Sequence, residues 1–140
     1  MWNSARIRAA YGTIEVRPCC QQPWSETMAA SALTLGIINA QHEIHAYLET
    51  VLGEDSDWQV LRAWYPQVIR QGLAAPQPAP DFLAQIVGMA EIGLRARGYG
   101  EESLLEPIWR RLQRRENPAQ HVRRIFLTDG LHALLAHTAI

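Results

Sequence analysis

One stretch constrains this chain more than any other. Tyr11-Gly12-Thr13-Ile14-Glu15-Val16-Arg17, approached by Arg6-Ile7-Arg8, is the only part that reads as β-structure. Everything from about residue 24 onward carries helical spacing of apolar residues. A lone strand or hairpin is marginal in water and needs a sheet to join, and helices cover only one side of it. The expected fold is therefore mostly α, an α+β fragment. It has one N-terminal strand or short hairpin over 6–17, followed by five to seven packed helices over 24–138. The mismatch between one strand and many helices suggests the tail of a larger fold whose other strands lie upstream of Met1.

Side chains on a strand alternate between faces. Tyr11, Thr13, Glu15 and Arg17 then share one face, and Ile14 and Val16 the other. Glu15 and Arg17 stand ~6.5–7 Å apart at strand spacing, which suits an acid and a cation sharing a polyanionic ligand. The same spacing suits an ion pair on a solvated sheet face. Counting parity along one continuous strand puts Arg6 and Arg8 opposite Arg17, unless Gly12 marks a bulge.

Pro18 ends the strand by removing a ladder donor. Ser25 reads as an N-cap, opening one long helix from about Glu26 to Leu52. Its first half, Met28 to Asn39, is apolar nearly all round and so reads as buried. A helix from Trp58 to Gln71 follows, with Gly72 as its stop and Pro66 expected to kink or break it. Pro80-Asp81 opens a helix that closes at Gly98. Ser103 reads as the cap of a helix from Leu104 to Arg115. Asn117-Pro118 starts the last helix, which Thr128-Asp129-Gly130 interrupts before Leu131 to His137. The stiff stretch Ala74 to Pro80 reads as a connection within one domain.

The 13 basic and 14 acidic residues nearly balance, so there is no global pull towards nucleic acid or membrane. The arginines Arg110, Arg111, Arg114, Arg115, Arg123 and Arg124 interleave with apolar stripes and acids, and read as solvated faces of two amphipathic helices. Every basic residue is Arg, which excludes a Walker-type or Schiff-base Lys within this chain. Cys19 and Cys20 are adjacent, which matches neither a zinc knuckle nor a redox pair, and they read as structural thiols. His42 and His45 stand at i, i+3, not the zincin spacing, and read as a solvated helix face. The tryptophans after Trp2 read as core and interface anchors. No apolar run approaches ~20 residues and no apolar segment of signal-peptide type is seen near Met1. The default compartment is the cytoplasm.

Gly12-Thr13-Ile14-Glu15-Val16-Arg17, preceded by Trp2-Asn3 and Arg6, resembles the last active-site strand of the carboxylate–amine ligases of the glutamate–cysteine ligase type. Arg97-Gly98-Tyr99 before a helix, then Asn117-Pro118-Ala119 opening the next, occur in the same order in the plant-like members. The resemblance spans nearly the whole chain. It implies the C-terminal part of a glutamine-synthetase-like fold and an ATP-dependent reaction through an acyl-phosphate intermediate, of the kind used in glutathione biosynthesis. It assigns Glu15 to Mg²⁺ and Arg17 to the ATP phosphate or the acyl phosphate, with Arg6 and Arg8 as further phosphate contacts. These residue types fit: Mg²⁺ takes carboxylate oxygens with substrate phosphates, and a planar guanidinium binds phosphate bidentately.

The chain departs from the plant pattern after Arg17, where Pro18-Cys19-Cys20-Gln21-Gln22-Pro23 replaces a Gly-Ala-Asp run. One strand with one Glu is also an incomplete phosphoryl-transfer site. The implied substrates are glutamate or a similar carboxylate and an amino-acid amine, with Mg²⁺ and ATP. The implied partner is the upstream part of the same fold or another chain, and the exposed strand edge invites a homo-oligomer. The alternative is a non-catalytic helical interaction module, or a trans-completing subunit, that retains the ancestral strand.

Overall fold

The computed structural model describes residues 5–16, 23–53 and 58–138. The N-terminal β-structure is a two-stranded antiparallel hairpin, β1 (Ala5–Arg8) and β2 (Thr13–Val16). A 3-10 turn at Ala9–Tyr11 and a left-handed Gly12 reverse the chain between them. Ala5 pairs with Val16, Arg6 with Glu15, Ile7 with Ile14 and Arg8 with Thr13. Paired residues in an antiparallel ladder share a face, so the hairpin divides cleanly. Ala5, Ile7, Ile14 and Val16 occupy the apolar face; Arg6, Arg8, Thr13 and Glu15 occupy the polar one.

Six α-helices follow among the described residues: α1 (Ala29–Asn39), α2 (Gln41–Leu52), α3 (Trp58–Gln71), α4 (Phe82–Arg97), α5 (Glu106–Arg114) and α6 (Pro118–Thr138). The core sits where α1 crosses α4. A Cβ placed on Gly36 would lie 2.5 Å from the Ala90 carbonyl oxygen, and one on Gly93 would lie 2.9 Å from that of Gly36. Both sites need a bare Cα because the two backbones touch there. Leu94 and the fully buried Leu105, from the 3-10 turn Glu101–Leu105, close this centre with Ala32 and Val87. Trp109 and Ile108 of α5 pack on its flank. A second cluster joins α2, α3 and α4, with the Phe82 ring centroid 5.9 Å from Tyr47 and 5.8 Å from Trp64.

Several boundaries differ from the sequence pattern. The helix expected from Glu26 to Leu52 is two helices, broken at Ala40, whose φ of −100° and ψ of 24° leave the helical region. Ala40 is buried beside Gly93, so packing on α4 selects the break where the local sequence carries no breaker. Ser25 lies inside a 3-10 turn, Trp24–Glu26, rather than capping α1. Ser103 likewise lies within a 3-10 turn, its hydroxyl donating to the Gly100 carbonyl at 2.8 Å, and α5 begins at Glu106 with Pro107 in its first turn. The helix α3 runs continuously through Pro66. At α6, Asn117 and Gln120 exchange side chain-to-backbone hydrogen bonds of 2.8 and 2.9 Å, a reciprocal cap. Gly130, at φ 82° and ψ −179°, interrupts α6 as expected and turns the chain so that His137 meets His121, ring centroids 5.0 Å apart.

Candidate functional site

The hairpin's polar face carries Glu15, Arg8 and the Arg6 position. Arg8 Nη1 donates to Glu15 Oε2 at 3.1 Å, with both side chains a little over one-third exposed. The Arg8 guanidinium also lies over the Tyr11 ring, 5.6 Å from its centroid. Arg6 stands directly opposite Glu15 in register; its side chain, all of Arg17, and Cys19 and Cys20 lie outside the described residues. Arg6 and Arg8 are not set apart as parity along one continuous strand predicts: the chain reverses at Ala9–Gly12, and antiparallel pairing puts the Arg6 and Arg8 positions on the face of Glu15. Tyr11, expected on that strand face, belongs to the reversing turn instead.

What this face can do follows from its charges. Glu15 offers one carboxylate, already engaged by a cation, on a surface open to solvent. Among the described residues no group of three or more His, Cys, Asp or Glu is placed to hold a metal ion. Among the described residues this face offers Mg²⁺ one carboxylate, where Mg²⁺ sites take one or two together with substrate phosphates and waters. His42 and His45 are exposed on α2, and His45 Nδ1 lies 3.6 Å from Glu49.

A second feature was not legible in the sequence. The Trp24–Glu26 turn, α5 and both ends of α6 enclose an open cleft of about 610 Å³. Arg110, Arg111 and Arg114 line it from α5, and Glu26 reaches into it to pair with Arg111 and, at 3.7 Å, with Arg110. On the α6 side Glu116 accepts from Arg124 Nε at 2.9 Å and lies 3.2 Å from His121 Nδ1. The Arg124 hydrogen bond, with help from His121, holds the Glu116 carboxyl down to about 2. The arginines read as a solvated helix face because their spacing alone does not reveal that α6 folds back beside them. Trp24 is corrected as well: it is 83 % exposed at the cleft and anchors no core.

No protein-family model, curated protein or solved structure matches this chain. No described helix is long and apolar enough to cross a membrane.

Proposed function

We propose that this chain is the C-terminal portion of an ATP-dependent carboxylate–amine ligase of the glutamate–cysteine ligase type, with the hairpin completing an active site built with further polypeptide. The observation that carries the reading is the two-sidedness of the hairpin. Ile7 is 79 % exposed and Ile14 63 % exposed on one face, while the other holds the Arg8–Glu15 pair. An antiparallel sheet normally buries one face and hydrates the other. A sheet partner covering Ile7 and Ile14 would leave the charged face open to a ligand, as an active-site strand requires. In that setting Glu15 supplies one carboxylate to Mg²⁺, Arg17 grips phosphate oxygens, and Arg6 and Arg8 add positive charge beside them. The reaction joins a carboxylate to an amine through an acyl phosphate, and the protein's share is positioning and charge neutralisation.

The engaged Glu15 carboxylate favours a second reading, in which the Arg8–Glu15 pair is structural and the hairpin only docks the helical body onto another chain. Reading the DNA upstream of Met1 separates the two. An in-frame continuation encoding acidic strands supports the ligase. In that longer polypeptide, Glu15→Gln and Arg17→Lys should each lower turnover ~10²-fold or more, the scale of one lost preorganised group, with folding intact. Wild-type rates and unchanged Mg²⁺ dependence in both variants would overturn the ligase assignment. The 140-residue chain alone, given Mg-ATP, glutamate and cysteine, should release no ADP above background.

A further inference from the structure

We propose that the cleft between the Trp24–Glu26 turn, α5 and α6 binds a small organic anion carrying a flat ring. Its size lies within the range of small-molecule sites, about 300–1,000 Å³. Its charge is unbalanced towards the positive. Arg110, Arg111 and Arg114 share one side of α5, since residues at i, i+1 and i+4 fall within about one-third of a helical circumference. Two acids line the cleft with them, and Glu116 is committed to Arg124 and His121. That leaves three guanidiniums to Glu26, which reaches Arg111 and Arg110, and to Glu106 of α5, which holds Arg110.

One cleft guanidinium remains unanswered among the described residues: Arg114 lines the cleft and makes no hydrogen bond or ion pair. Arg110 Nη2 holds Glu106 at 2.6 Å, and its Nε, which has no acceptor, is shut off from solvent and so from a ligand. An incoming oxyanion would pair with Arg114. Guanidinium forks favour planar or tetrahedral oxyanions, so the ligand's charged end is a carboxylate or a phosphate monoester. The lining also holds apolar residues, Pro107 of α5, Val122 of α6 and Trp24. An indole exposed at the mouth of a cationic cleft is a stacking platform for a ring. Glu26 then occupies part of the anion's place in the empty protein, as an internal carboxylate that the ligand must share or displace.

The test is isothermal titration of the full chain with phenyl phosphate and with benzoate, and with inorganic phosphate as the ringless probe. Saturable one-to-one binding of either aromatic anion is expected, and whichever binds more tightly identifies the charged end as phosphate ester or carboxylate. Arg114→Ala should weaken it about tenfold, the effect of one charge-assisted hydrogen bond. Trp24→Ala should weaken the aromatic anions about fivefold and leave inorganic phosphate unchanged. Glu26→Gln should tighten binding, an effect that a purely structural Glu26–Arg111 pair would not produce. Arg62→Ala, on α3 and outside the cleft, should bind as the parent protein does. Absence of saturable binding up to about 10 mM, a limit set by the weakest useful affinities, would overturn the proposal. So would Arg114→Ala and Trp24→Ala variants that bind normally. None of these readouts depends on ligase turnover.

Discussion

The hairpin and the α1–α4 crossing are opposite solutions to the burial of apolar residues. At the crossing, Gly36 and Gly93 bring two backbones into contact, and Leu94 is completely enclosed. In the hairpin, Ile7 and Ile14 pair across the ladder and yet face solvent. Both regions carry strongly apolar residues, so hydrophobicity alone does not separate them. The helical body folds its apolar surface against itself. The hairpin carries an apolar face that its own two strands are too few to cover. The difference separates a part whose apolar residues stabilise this chain from a part whose apolar residues stay exposed.

The largest expected effect breaks the core side of that contrast. Leu94→Ala removes a fully enclosed side chain at the centre of the packing, and should cost about 2–5 kcal/mol, measured by urea unfolding. A loss below about 1 kcal/mol, the scale of an ordinary surface change, would mean that the crossing does not hold the fold together.

An intermediate effect tests the corner where α5 meets α6. The Glu116 carboxyl is lowered from 4.5 to about 2, first by the Arg124 hydrogen bond and then by His121. A carboxyl lowered in the folded state stabilises fully above its unfolded pKa, and that contribution is lost as the pH falls through the folded value. Thermal melts of the parent protein and Glu116→Gln should therefore differ by a constant amount above about pH 5. The difference should shrink as the pH drops from about 4.5 towards 2. A difference independent of pH would show that the Arg124 pair contributes nothing through charge.

The smallest expected effect on stability sharpens the hairpin side. Ile7→Ser with Ile14→Ser should leave urea unfolding of the chain within about 0.5 kcal/mol of the parent, since both side chains already meet water. Sedimentation of the parent at tens of micromolar, roughly the weak-interface range, should show self-association through the exposed face and strand edges, and the double variant should sediment as a lighter species. If the variant instead loses as much stability as Leu94→Ala, the hairpin is part of the core and the contrast fails.

Local chemistry determined much of this protein. The mostly helical content, the stop of α4 at Gly98, the start of α6 at Asn117-Pro118 and its interruption at Gly130 all follow from caps, breakers and apolar spacing. These are effects of neighbouring residues on one another. The strand pattern at Thr13–Val16 was legible for the same reason. Other features depended on residues far apart in sequence. The break at Ala40 exists because α4 presses there. The Arg6 and Arg8 positions join the face of Glu15 because Gly12 adopts a left-handed turn and the chain pairs with itself. The cleft exists because α6 folds back beside α5 and the Trp24–Glu26 turn reaches across 85 residues to Arg111. Periodicity describes which face of an element is apolar; only the packing of elements decides which faces meet, and which arginines then surround a space.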